Sequence, residues 1–315
     1  MIYSVKKHSE SEVCRTGNRN IKQVILPLIT AFIWGSAIVA QSISTNYIGT
    51  FTFNAARSLV GALSLLLFII IRGRFKKRDT HTDNGIDPGS LIPGGICCGI
   101  FLALAVVLQN QGLRYTGAGK AAFITAMYVV LVPVAGLFFR RKVAPLLWVS
   151  MLVAVAGLYF LCMDPAEGLG FNKGDLLVLM SSFAFTAQIL AIDHFVKRSD
   201  SICLSCIQFG TVFLLCSAGA LLFEDPSVSQ LQQSLPYILY VGIFSSAVAY
   251  TLQIVAQKDG NPVIVSLILS LESFFAVLVS AAVLHERLSF REVAGCVLMM
   301  AAVVLSQLKT GQPQD

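Results

Sequence analysis

Apolar runs of roughly 20 residues, separated by short polar turns, recur along the whole chain, and that is the length at which a helix crosses a hydrocarbon core. Ten runs are predicted to span a membrane, at 24–43, 51–71, 91–110, 118–139, 145–163, 176–192, 202–223, 235–256, 262–284 and 290–308. A ten-residue polar connector, 164–173, parts the first five from the second five. Inside each run the backbone must close its hydrogen bonds along the helix, because lipid offers no partners. The expected organisation is a polar tail at 1–21, a first unit at 22–163 and a second at 174–308.

The second unit rewrites the first. The stretch 252–288, LQIVAQKDGNPVIVSLILSLESFFAVLVSAAVLHERL, has a looser precedent at 108–143, LQNQGLRYTGAGKAAFITAMYVVLVPVAGLFFRRKV. At a constant offset of 144, Leu108 falls on Leu252, Gln109 on Gln253 and Ile124 on Ile268. Past the charged turn the alignment slips by one residue and places 145–161 opposite 290–306. Identity is low; the equivalence rests on hydropathy and on the order of features. Five is an odd number of spans, so the second unit enters the membrane from the opposite side. The predicted fold class is therefore an all-α membrane protein whose ten transmembrane helices form two inverted five-helix repeats. That architecture places a binding site near the bilayer midplane, between the repeats, where it can be exposed to each side in turn.

Charge orients the chain. With the amino terminus in the cytoplasm, 17 of the 23 Lys and Arg residues fall inside, 5 outside, and Arg57 lies within a span. Both termini are expected to be cytoplasmic. The formal charge of +6 follows from these turns, so no nucleic-acid partner is expected. The partners are instead the lipid bilayer and a small-molecule solute. The first run has the length of a full span and no small-residue cleavage site at its end, so it is expected to remain as an anchor.

Composition agrees, with 56% of the 315 residues hydrophobic and 13% charged, where soluble domains carry about 25% charged residues. The eight cysteines lie mostly inside apolar runs, and Cys203 with Cys206 has no companion pair or histidine cluster. They read as small buried thiols, and no metal or cofactor is expected. His285, Glu286 and Arg287 close a helix, and Ser289 stands where HExxH would need its second histidine. Gly168, Gly170 and Gly174 are not followed by Lys-Ser/Thr, so they form no phosphate loop. An enzyme would need a converging cluster of His, Asp or Glu, yet the four histidines fall in tails and turns. A channel would need a ring of charges or a carbonyl-rich filter, and neither pattern is present.

Charged or polar groups at membrane depth are the candidates for chemistry. Glu272 lies about ten residues into its span, near the midplane at ~1.5 Å per residue. It suits a coupling carboxylate, a contact for a cationic group, or a structural carboxylate satisfied by hydroxyls and helix ends. Arg57 lies roughly two turns into the second span and keeps its proton. A solute carboxylate or phosphate, an ion pair with Glu272, or helix carbonyls would each satisfy it. Trp34 suits a cavity wall or an interfacial anchor; it precedes Gly35, which suits close helix packing, and Ser36, which adds a hydroxyl. Tyr128, Gln188 and Tyr250 are neutral candidates for the cavity wall, and Gln41, Asn110 and Gln253 lie at similar depth.

Five stretches carry a family resemblance: FIWGSAIVAQ, FNAARSLVGAL, AGKAAFITAMYVVLVP, GDLLVLMSSFAFTAQILAID and SLILSLESFFAVLVSAAVLHERL. Together they resemble the EamA-type carriers of the drug/metabolite transporter superfamily, over residues 22–308. The resemblance implies two EamA repeats and secondary active transport by alternating access at the cell membrane. It also implies outward movement of small metabolites or amphiphilic compounds, often against protons, with no catalysis. Two positions depart from the family pattern. Arg140-Arg141-Lys142 stands where a Gly-Glu-Arg-like end is common, and Ser273 stands where proline often follows the glutamate.

Overall fold

The computed structural model describes residues 23–308 other than 42, 45, 76–87, 117, 139–142, 164–171 and 285–287. The polar tail 1–21, most of the long basic turn, and His285 to Arg287 thus lie outside the described residues. Ten helices long and apolar enough to cross a membrane run through the rest. Eight are α1 (Gln23–Gln41), α2 (Thr50–Arg74), α3 (Gly89–Gly112), α5 (Pro145–Cys162), α6 (Lys173–Arg198), α7 (Ser201–Phe223), α8 (Val228–Lys258) and α10 (Phe290–Gln307). The remaining two, α4 and α9, are each broken in the middle.

Those breaks are a finding that apolar length could not predict. The fourth span divides into α4a (Ala118–Thr125) and α4b (Tyr128–Phe138). The ninth divides into α9a (Pro262–Leu269) and α9b (Glu272–Leu284). At the joints the backbone tightens to three-residue closures, Met127 N–H to the Ile124 carbonyl at 3.2 Å and Leu271 N–H to the Ile268 carbonyl at 3.1 Å. Both donors and both acceptors are related by the offset of 144. In α9a the hydroxyls of Ser266 and Ser270 donate to the Val263 and Leu267 carbonyls, a local alternative to the helix ladder.

The eighth helix also departs from expectation. It begins at Val228, seven residues before the predicted 235, because Ser227 and Gln230 form a reciprocal cap on an amphipathic turn that apolar length alone passes over. Further along, Val241–Ala249 winds as a π-helix before α-helix resumes at Tyr250. Thr30 on α1 donates its hydroxyl to the carbonyl of Ala249, where the wide turn ends. Such widened turns re-aim the side chains that follow them.

The apolar core has two main bodies. One is built from buried residues of α2, α3, α7 and α8, with Leu102 and Phe209 at its centre. The other is built chiefly from α4, α5, α9 and α10, around Met151, Leu158 and Ile268. Each body therefore pairs helices of one repeat with their counterparts in the other. Trp34 on α1 and Phe185 on α6, related by an offset of 151, pack against both bodies. Elsewhere, Leu63, Leu152 and Leu221 stand exposed on the outside of the bundle, as a lipid-facing surface requires.

Pseudo-equivalent helices also meet directly. α5 crosses α10 at glycines: a Cβ on Gly157 would lie 3.0 Å from the Gly295 carbonyl oxygen, and one on Gly295 would lie 2.8 Å from the Gly157 oxygen. α2 and α7 pin each other at both ends. Glu224, just past α7, accepts from Phe51 N–H and Thr52 N–H at 2.9 Å and from the Thr52 hydroxyl at 2.7 Å, so it caps the start of α2 across the repeat boundary. At the other end Asp200 accepts from the N–H groups of Ile202 and Cys203, both at 3.0 Å, and pairs with Arg72 of α2 at 3.4 Å. Partial burial pulls the Asp200 carboxyl upward, but the Cys203 N–H, the Arg72 guanidinium and the Ile202 N–H outweigh it and hold the group below the ordinary carboxylate value.

Candidate functional site

Between the two core bodies lies a cavity of about 50 Å³, lined by eight residues from each repeat. Its wall repeats like the chain. Val106, Gln109, Thr125 and Tyr128 line it from the first repeat, and their offset-144 counterparts Tyr250, Gln253, Leu269 and Glu272 line it from the second. Trp34 and Ile38 of α1 are matched at offset 151 by Phe185 and Ile189 of α6. The volume suffices for a few waters and falls well short of the roughly 300 Å³ at which sites for drug-sized ligands begin. The space between the bodies is thus narrow in this conformer.

The helix breaks supply the first pair of wall residues. Tyr128 and Glu272 are the opening residues of α4b and α9b, so the same joint aims both at the cavity. For Glu272 the position adds an electrostatic benefit, since a helix N-terminus favours a carboxylate. It is 8% exposed, and no hydrogen bond or ion pair reaches its carboxylate among the described residues. On α1, Gly35 lets the helix pass against α9b: a Cβ there would stand 2.6 Å from the Glu272 carbonyl oxygen and 2.7 Å from Ala276 N.

Arg57 faces the cavity from α2 and is 2% exposed. Its guanidinium reaches the Gln41 side-chain oxygen at 3.4 Å and lies 6.0 Å from the centre of the Phe53 ring. Among the described residues, Arg57 makes neither the ion pair with Glu272 that the sequence allowed nor a cap on helix carbonyls. The two charges sit on different core bodies with the cavity between them, the cation on α2 and the carboxylate on α9b. The counterpart of Arg57 is Gln208, whose side-chain oxygen accepts from Gln188 at 3.4 Å.

Trp34 is part of the cavity wall and not an interfacial anchor. Its ring packs 4.6 Å from that of Tyr250, which in turn meets Phe209 edge-on at 5.3 Å. Tyr250 owes its direction to the π-helix that ends at its neighbour Ala249. Ser36 is a correction. One residue on from Gly35, its hydroxyl turns away from the cavity to the Ile33 carbonyl at 2.8 Å and the Tyr240 hydroxyl at 2.7 Å, so it joins α1 to α8. Asn110 does not line the cavity, and His194, expected in a turn, sits in α6 with its ring against Phe195. Of the candidates, the structure brings Glu272, Arg57, Trp34, Tyr128, Gln188 and Tyr250 together. It adds Gln109, Thr125, Phe185 and Ser245, of which only Gln109 left a sequence signal, as a marker of the repeat.

Several wall atoms are buried without a partner. In the first repeat they are Trp34 Nε1, Arg57 Nε and the Tyr128 hydroxyl, all able to donate. In the second, the Gln253 side-chain oxygen, an acceptor, is likewise unpartnered, and the Glu272 carboxylate lines the same cavity. A buried polar atom without a partner costs about 1–3 kcal/mol. Such atoms gathered on one cavity mark a place where the partner comes from a bound molecule or from another conformer.

The model of one family, the EamA-like transporter family, matches residues 21–163 and again 172–308. An uncharacterized transporter of Archaeoglobus fulgidus is 31% identical over 93% of this chain and 89% of its own length. A WAT1-related chloroplastic protein of Arabidopsis thaliana is 25% identical over 89% of this chain and 68% of its own. Among solved structures, one described only as the crystal structure of a protein superposes with a TM-score of 0.75 at 18% identity, over 91% of this chain and 96% of that one. The likeness extends over the ten-helix fold.

Proposed function

The chain belongs to the EamA-like transporter family and is a multi-pass membrane transporter, and from that premise we propose that it is a secondary active carrier exporting a small polar solute by alternating access. The solute presents an anionic or accepting group to Arg57, Trp34 and Tyr128 and a cationic or donating group to Glu272. The observation that carries this reading is the set of unpartnered polar atoms, Trp34 Nε1, Arg57 Nε, the Tyr128 hydroxyl and the Gln253 oxygen, gathered with Glu272 around one cavity between the repeats. A solute that satisfies Arg57 on one body and Glu272 on the other draws the core bodies together, and its release leaves the buried atoms unpaired, which favours reopening. Residence in the plasma membrane with both termini cytoplasmic belongs to the same reading, supported by the basic turns.

Glu272 also suits proton coupling. A carboxylate without a protein partner, in a cavity that closes around it, can hold either a proton or a cationic group, and alternating between them ties outward solute movement to inward proton movement. The test is counterflow in proteoliposomes with a neutral amino acid as zwitterionic probe, beside its amide, which lacks the anion, and its deaminated acid, which lacks the cation. Saturable uptake with counterflow, strongest for the zwitterion, supports the reading. Flux that does not saturate and is equal for all three probes would indicate a pore.

A further inference from the structure

The two glutamines related by the repeat have different fates, and the difference picks out a residue. Gln109 on α3 donates from Nε2 to the Thr125 hydroxyl at 3.2 Å, so the first repeat holds its own glutamine in place. Thr125 is fixed in turn, because its carbonyl accepts from the Ser182 hydroxyl at 3.0 Å. In the second repeat the position equivalent to Thr125 is Leu269, which has no hydroxyl to offer. Gln253 is 1% exposed, lines the cavity, and keeps its side-chain oxygen buried and unpartnered.

We infer that Gln253 is a specificity-determining solute contact, the acceptor that joins Glu272 in holding an N–H-rich cationic group of the transported molecule. The inference rests on the carrier reading above and narrows it. One carboxylate recognises positive charge of any shape, including quaternary ammonium groups that have no N–H. A neutral acceptor on the same cavity wall rewards a group with a second N–H, so the pair selects primary and secondary amines over quaternary ones. The leucine at 269 offers Gln253 no polar partner, and the Gln253 oxygen has none elsewhere among the described residues. The chain keeps a buried orphan at this cavity, and a site that binds through it gives the orphan a purpose.

The test uses the full-length protein in proteoliposomes, exposed to a small-molecule extract of cells, with retained solutes read by mass spectrometry. Two variants are compared with the unaltered protein. Gln253→Met removes the acceptor at similar volume, and Leu269→Thr adds a hydroxyl that can donate to the Gln253 oxygen and occupy it. Each is expected to lower retention of amine-bearing solutes about tenfold, from the loss of one charge-assisted hydrogen bond, and to raise KM with little change in maximal rate. Quaternary and amine-free solutes should be retained as before. The melting temperature of Gln253→Met should hold or rise, because an orphaned buried acceptor has been removed; a structural glutamine would instead melt lower. Unchanged amine retention in Gln253→Met, or a lower melting temperature with all solutes lost alike, overturns the assignment. An unaltered protein that retains no solute removes the carrier reading, and this role with it.

Discussion

Removing the charge at Arg57 separates two kinds of buried cation. Had Arg57 been paired with Glu272, deleting either partner would strand the other in a low-dielectric site at a cost of about 3–5 kcal/mol. The structure gives Arg57 much less to lose: one hydrogen bond to Gln41 at the long end of the range, 3.4 Å, and a ring contact with Phe53 at 6.0 Å. Together these are worth about 1–2 kcal/mol. Against them stands the desolvation of a guanidinium that is 2% exposed, with Nε unpartnered, a penalty of several kcal/mol. Arg57→Met, which keeps the bulk of the side chain, is therefore expected to leave the protein as stable or to stabilise it by about 1–3 kcal/mol. Since 1 kcal/mol moves the midpoint of a large domain by about 2–4 °C, the melting temperature in detergent should hold or rise by several degrees. Uptake of solutes bearing an anionic group should be lost at the same time. A fall of about 10 °C, reversed when Glu272→Gln is added, would refute the reasoning and restore the ion pair.

Glu272→Gln should abolish the dependence of uptake on an imposed pH gradient while sparing solute exchange, measured in the same vesicles; equal loss of both, with less folded protein, assigns the carboxylate a structural role. Gly35→Ala forces a methyl group to within 2.6 Å of the Glu272 carbonyl oxygen, so α1 must retreat from α9b, at about 1–3 kcal/mol of overpacking; thermal melting should register it, and an unchanged midpoint would contradict the close packing. The native Asp200 pKa lies below the unfolded value of about 3.9, so its contribution to stability is complete above that pH and is lost as the pH falls through the native value. Asp200→Asn should accordingly flatten the acid limb of the melting-temperature profile below about pH 4, and an identical limb in the variant would show that the cap contributes nothing.

Much of the fold was legible because lipid imposes it. Span length, the basic turns and the odd count of five needed no side-chain detail, and the pair Gln109 and Gln253 already carried the repeat. The breaks in α4 and α9 were hidden because both halves of each helix are apolar, and hydropathy registers composition and not backbone winding. The π-helix of α8 was hidden for the same reason, and with it the direction of Tyr250. Glu272 and Arg57 announced themselves as charges at membrane depth, whereas their separation is a matter of helix arrangement that no spacing encodes. Ser36 was misplaced because one residue is about 100° of helix, enough to turn a hydroxyl from the cavity to Tyr240. The unpartnered atoms of the cavity wall, the Gln253 oxygen among them, were hidden because hydrogen-bond partners depend on how the helices pack.

Access to the cavity from the two membrane faces tests alternating access most directly. In a protein otherwise freed of cysteine, Ser245→Cys places one thiol on the cavity wall. Membrane-impermeant thiol reagents, applied to vesicles of either orientation, should modify position 245 from both faces. Reaction from one face only would contradict the account.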